Sequence, residues 1–168
     1  TGAIVDGRDR LDGATSVFAN AARFLAIEGI GLTGVGVDNP INLEAALLAA
    51  STTQGRINIS EATAVEVGSI DPLFVDRVDA NANVSNIGDS ALLSGLTASS
   101  LVDGAIILRT VDGSIVVNNM VQAFGNGSIL LQASGLASEL LLDANVLSAS
   151  GSISLHADTS IVLDTTVL

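Results

Sequence analysis

The sequence predicts an all-β fold, a parallel β-helix (solenoid) with rungs of about 24 residues, within the range of known repeat architectures. Three observations predict it: a recurring glycine-led segment, an in-and-out alternation of aliphatic residues inside each copy, and a composition rich in aliphatics but poor in aromatics. The segments Gly55-Arg56-Ile57-Asn58-Ile59-Ser60, Gly104-Ala105-Ile106-Ile107-Leu108-Arg109, Gly127-Ser128-Ile129-Leu130-Leu131-Gln132 and Gly151-Ser152-Ile153-Ser154-Leu155-His156 align without gaps. The intervals from Gly104 to Gly127 and from Gly127 to Gly151 are nearly equal. That from Gly55 to Gly104 is close to twice as long, as if one copy were blurred.

Taken in chain order, residues 1–50 read as irregular rungs. Alternation persists in Ser16-Val17-Phe18-Ala19 and Arg23-Phe24-Leu25-Ala26-Ile27. Asn42 to Ala50 is two-sided: its Ala and Leu content favours a helix, while Leu43, Ala45, Leu47 and Ala49 alternate as a strand does. The strands that flank it favour the strand. Residues 51–75 form a rung with three strand signals: the glycine-led segment, Thr63-Ala64-Val65-Glu66-Val67, and the patch Leu73-Phe74-Val75. Residues 76–103 read as a degenerate rung or a surface excursion, with weak alternation from Val78 to Val84 and many Ser, Gly and Asp residues after it.

Residues 104–168 are regular rungs. Their second strands are Ser114–Asn118, Glu139–Asp143 and Ser160–Asp164, and their third patches are Met120-Val121, Val146-Leu147 and Val167-Leu168. The whole chain, 1–168, is thus expected to be a single solenoid segment. In the first strand of each unit Ile57, Ile106, Ile129 and Ile153 share one position, and Ile59, Leu108, Leu131 and Leu155 share the position two residues on. Period two puts both on one strand face, so stacked rungs make two aliphatic columns. Ser60, Arg109, Gln132 and His156 fall in an outward polar column. Gly, Asn, Asp and Ser occupy the turns, where left-handed backbone and tight corners are needed.

Composition fits this shape. Hydrophobic residues make up 48% of the chain and aromatics 2%, with no Trp, Tyr or Cys. A narrow lumen whose rungs repeat every ~4.8 Å stacks Ile, Val, Leu and Ala well and large rings poorly. The apolar content excludes disorder, and the lack of Cys excludes a disulfide scaffold. Eighteen acidic residues face six basic ones, all arginines, for a net charge of −12. That balance argues against nucleic acid as a partner, since phosphate neutralisation needs a basic surface. Carboxylates at turns keep such a rod soluble. The longest apolar stretch, near Leu43 to Ala50, is far short of the ~20 residues of a membrane-spanning helix. The chain starts at Thr1, which points to a mature or excised segment.

The segments GSILLQA (Gly127 to Ala133), SISLHA (Ser152 to Ala157), GAIILRTVDGSIVVNN (Gly104 to Asn119) and GIGL (Gly29 to Leu32) resemble repeats of very large bacterial surface proteins of the filamentous-haemagglutinin type. The resemblance covers about Thr15 to Leu168. It implies a right-handed parallel β-helix, export to the cell surface, and a structural or adhesive role with host or neighbouring-cell glycans or proteins as partners. The secretion domain typical of that family is not recognisable in this chain.

Several residues invite a chemical reading. His156, the single histidine, reads as a member of the polar column; a Ser–His–Asp arrangement with Ser154 and Asp158 needs a geometry that adjacency in sequence does not supply. Asp76, Arg77 and Asp79 are the nearest approach to the carboxylate cluster of a polysaccharide-degrading β-helix enzyme, the alternative reading. Paired catalytic carboxylates would have to converge from different rungs, and the exposed charged turn is the plainer account. Asp6, Asp9 and Asp12 offer hard oxygen ligands for calcium, but Arg8 and Arg10 among them repel a cation. Gly29-Ile30-Gly31-Leu32-Thr33-Gly34 matches GxGxxG, with Gly36 beyond it, but lacks the helix and the ribose-binding acid of a dinucleotide site. No catalytic, cofactor-binding or metal-binding residue is therefore assigned, and no cofactor is expected. The last rung signal has no evident polar cap, so the chain is expected to be cut from a longer solenoid or to stack head to tail into a filament.

Overall fold

A computed structural model describes residues 2–7, 14–33, 38–88 and 91–164. The described elements are all strands. The first group is β1 (Ala3–Ile4), β2 (Val17–Ala26), β3 (Gly29–Ile30), β4 (Ile41–Thr52), β5 (Ile57–Glu61), β6 (Val65–Val67) and β7 (Ser69–Ile70). Next come β8 (Phe74–Val78), β9 (Val84–Gly88), β10 (Leu93–Ser94), β11 (Leu96–Ala98), β12 (Ile106–Thr110), β13 (Ile115–Val117) and β14 (Val121–Ala123). The last are β15 (Ile129–Ala133), β16 (Glu139–Leu142), β17 (Val146–Ser148), β18 (Ile153–Ala157) and β19 (Ser160–Leu163). Fifteen of them form one parallel sheet that coils into a solenoid.

Three ladders run along the coil. One joins β1, β3, β5, β12, β15 and β18. The second joins β2, β4, β6, β13, β16 and β19. The third joins the end of β4 with β11, β14 and β17. In the first ladder Ile4, Ile30, Ile57, Ile106, Ile129 and Ile153 stand side by side. The expected column is present and begins earlier than the four aligned segments do. Ile41, Ile59, Leu108, Leu131 and Leu155 form its companion. The inner columns carry the core, and each buried aliphatic side chain contributes about 1.5–3 kcal/mol. Ser60, Arg109, Gln132 and His156 fall in register on the outside, as the alternation requires.

The two-sided segment Asn42–Ala50 lies within β4 and is strand. This strand pairs in succession with β5 through Ile41, with β6 through Leu47 and with β11 through Ala50. It runs across all three faces, and its neighbours on each face set its conformation over the helix propensity of its alanines.

The long interval from Gly55 to Gly104 has a specific origin. Ile57 pairs directly with Ile106, so no strand intervenes between them in that ladder. The extra residues leave the wall as an arm: β7 pairs antiparallel with β10 at its neck, and β8 with β9 beyond. The third patch assigned to Leu73-Phe74-Val75 is corrected by this. Phe74 and Val75 lie in β8 on the arm, and the place on the third face belongs to Leu96–Ala98, which pairs with Val121–Ala123. The patch Val167-Leu168 lies outside the described residues.

Corners are held by close backbone approach and by inward hydroxyls. A Cβ on Gly127 would sit 2.4 Å from the Gly104 carbonyl carbon, and one on Gly151 would sit 2.3 Å from the Gly127 oxygen. These repeat glycines are therefore demanded by stacking of one corner on the next, and not by left-handed backbone. Left-handed φ is found instead at Gly31, Gly95, Gly125 and Gly135. At the corner after β12, the Thr110 hydroxyl donates to the Gly113 carbonyl and accepts the Ser134 N–H at 3.1 Å. The Ser148 hydroxyl does the same between Gly127 and Gly151, at 2.8 Å on each side.

Candidate functional site

Among the described residues, His156, the Asp76–Asp79 turn and Asp6 lie at separate places in the fold. His156 is exposed on β18, with Nε2 3.3 Å from Asp158 Oδ1. Asp158 also accepts the Gly135 N–H at 2.9 Å, which, ahead of the His156 contact, holds its carboxyl below the usual 3.8. Among the described residues no serine hydroxyl is bonded to this pair, so the nucleophile position of a triad is unfilled.

Asp76 and Arg77 are neighbours on β8 and point to opposite faces of the ribbon. Asp76 accepts the Asn86 side-chain N–H at 3.0 Å. Asp79 closes the turn beyond: it accepts the side-chain and backbone N–H of Asn83 and the backbone N–H of Asn81, and these bonds keep its pKa lowered. The two carboxylates are thus engaged by different residues, Asp76 by Asn86 and Asp79 by Asn81 and Asn83.

Asp6 is described and is hydrogen-bonded to the Ser16 hydroxyl; Asp9 and Asp12 lie outside the described residues. Among the described residues no group of three or more His, Cys, Asp or Glu side chains gathers to hold a metal. Gly29 lies in β3, paired with Ala3, and Gly31, with left-handed φ, turns the corner after it; the Ile30 N–H donates to the Arg56 carbonyl at 2.9 Å. Gly34 and Gly36 are outside the described residues. A shallow cleft of about 370 Å³ opens beside this corner, lined by Glu28, Thr33, Gln54, Arg56 and Asp103. Its cation is engaged: Arg56 pairs with Asp103 and donates to the Thr33 hydroxyl at 2.8 Å.

Two residues that the sequence reading passed over do structural work of an uncommon kind. Glu61 is fully buried at the end of β5. Its two carboxylate oxygens each accept the Ala45 N–H at 3.1 Å, and Oε1 accepts the Thr63 N–H at 3.3 Å. Between its pairing with β5 at Leu43 and with β6 at Leu47, β4 turns a corner, and the carboxylate stands in for the missing main-chain acceptor. Burial pushes its pKa up from 4.5 to about 7, against the backbone hydrogen bonds that lower it, and the nearby Glu44 charge adds to the rise. The signal was present: Glu61 follows Ile57 and Ile59 in the inward phase, where Thr110 stands beside it in the next strand. Arg23, on β2, donates to the Asp71 carbonyl at 2.9 Å and the Ala91 carbonyl at 3.0 Å. It clasps both sides of the arm at the neck.

Aliphatics are exposed singly, as at Leu101 and Leu136, and together on two larger surfaces. The first is the last described turn of the coil. Ile129, Leu140 and Leu142 are 1%, 0% and 3% exposed, whereas Ile153, Ile161 and Leu163, next to them in the same columns, are 43%, 40% and 62% exposed. The second is the arm, where every residue of β8 and β9 is exposed. No helix in the described residues is long and apolar enough to cross a membrane. No family model, curated protein or solved structure matches this chain.

Proposed function

We propose that this chain is a non-catalytic, rod-forming segment of a secreted bacterial surface fibre or adhesin. In this reading the coil is right-handed with turns of about 24 residues. Further parallel turns cover its ends, from the same polypeptide or from another copy stacked head to tail. One observation carries the reading: the aliphatic columns run through the coil and are uncovered at its last described turn, with Leu163 at 62% exposure beside Leu142 at 3%. An open strand edge above an apolar column is a template for one more turn. The direct pairing of Ile106 with Ile129 and of Ile129 with Ile153, at nearly equal spacings along the chain, supports the unit length. The resemblance of the glycine-led segments to haemagglutinin-type repeats supports the surface role and the handedness.

The rod is stiff because every turn is tied to the next by main-chain hydrogen bonds and an aliphatic stack, so its work is to hold attached parts at a distance. Amide exchange tests the reading, measured on the isolated chain at rising concentration and on the polypeptide from its native source. Covered ends give β18 and β19 the protection of β15 and β16 in one of these settings. If β18 and β19 exchange as fast as loops in both, the rod reading fails. Protease treatment of unbroken cells tests location: cleavage of the segment is expected, and full protection until lysis overturns the surface assignment.

A further inference from the structure

The arm presents what an open strand edge needs to capture another strand. It is a two-stranded ribbon, β8 against β9, paired through Phe74–Gly88, Val75–Ile87, Asp76–Asn86, Arg77–Ser85 and Val78–Val84. Phe74, Val75, Val78 and Val84 are each more than 60% exposed. A lone hairpin in water is marginal, and a third strand stabilises it. The neck is fixed by the Arg23 clasp and by the β7–β10 pair, so the ribbon is held in place away from the wall.

Charge distinguishes the two edges. The β8 side carries Asp71, Asp76 and Asp79 against Arg77, while β9 is Val-Ser-Asn-Ile-Gly and uncharged. Charge also selects the occupant. A second copy brings a net charge of −12 and the same acidic edge. Of its six arginines, Arg23 holds the neck, Arg56 pairs with Asp103 and Arg109 lies against Asp38; Arg77 is one cation among the three acids of the same edge, and Arg8 and Arg10 lie outside the described residues. Like charge on both copies opposes that pairing.

We infer that the open edge of β8 binds an extended, cationic segment of a different protein by strand addition. Main-chain hydrogen bonds supply affinity and alternate side chains supply selection. On one face the incoming strand meets Phe74, Asp76 and Val78, which fits an apolar–cationic–apolar pattern; on the other it meets Val75 and Arg77, which fits an apolar residue and a neutral polar one. The rod reading is not needed for this inference, because the arm can bind whether or not the ends of the coil are covered.

The probe is the blocked peptide Lys-Val-Thr-Lys-Val-Val-Lys, with a control in which each Lys is Glu, titrated into the full chain and read by amide exchange over 74–88. The Lys peptide is expected to slow exchange along β8 by roughly tenfold or more, with the effect weakened by high salt and by Asp76→Lys, while the Glu peptide leaves it unchanged. Asp71→Lys, away from the β8–β9 pairs, is the second variant and is expected to weaken binding without altering the ribbon. No protection from either peptide overturns the inference and makes Asp76 and Arg77 guards against edge pairing. Equal protection from both peptides overturns the charge selection. Protection that rises with protein concentration alone makes the occupant a second copy and overturns the assignment to a different protein.

Discussion

Strands β8 and β12 have the same length and are built from the same kinds of side chain, yet they have opposite fates. In β12, Ile106 and Leu108 are fully buried and the pattern alternates; in β8, Phe74, Val75 and Val78 are all exposed. The difference is the neighbours. Strand β12 has β5 on one side and β15 on the other and faces the lumen, whereas β8 has β9 alone and no sheet beneath it. The last turn is intermediate: β18 is paired on one edge to β15, and its column residues are half covered. In the isoleucine column of the first ladder, Ile30, Ile57, Ile106 and Ile129 are flanked on both sides and buried, whereas the end members Ile4 and Ile153 are flanked on one side and are not.

The largest effect should come from opening the stack at its middle. Leu108→Ala removes a buried side chain between Ile59 and Leu131 and is expected to cost about 2–5 kcal/mol in urea unfolding, whereas Val75→Ala on the arm should stay within about 0.5 kcal/mol. Equal costs would mean that the arm is packed in solution and would erase the contrast. A smaller difference is expected within one column: Leu142→Ala about 2–4 kcal/mol, and Leu163→Ala about 1 kcal/mol or less while the end stays open. If the two converge in the polypeptide from its native source, a further turn covers Leu163 there.

The third effect is a slope against pH. Glu61 binds its proton more tightly folded than unfolded, since its pKa rises from 4.5 to about 7. Its contribution to stability is therefore fully present below pH 4.5, falls as pH rises to about 7, and is flat above. Glu61→Gln should remove that fall, seen as the difference between thermal unfolding of the two proteins across this window. Asp79 and Asp158 act in the opposite sense: their lowered values mean stability present above 3.8 and lost as pH drops through their folded values. A wild-type curve parallel to that of Glu61→Gln would show that the carboxylate is not desolvated in the folded state.

Much of the wall was legible because period-two alternation and stacking both act on local sequence. Ile57, Ile106, Ile129 and Ile153 announced a column, and the structure adds Ile4 and Ile30, which lie outside the four aligned segments. The arm was less legible. Leu73-Phe74-Val75 has the composition of a strand patch, and composition does not say whether a partner sheet lies beneath it. The Glu61 corner and the Arg23 clasp join residues far apart in the chain, between elements of no mutual repeat.

The sequence by itself determined the all-β class, the aliphatic columns and the polar outer ladder, because a strand's two faces are written in alternate residues. Only the tertiary structure decided that β4 crosses all three faces, that Ile57 meets Ile106 directly, and that the residues between them project as an arm. Those outcomes depend on which strands lie on either side, and lateral neighbours in a coil come from distant parts of the chain.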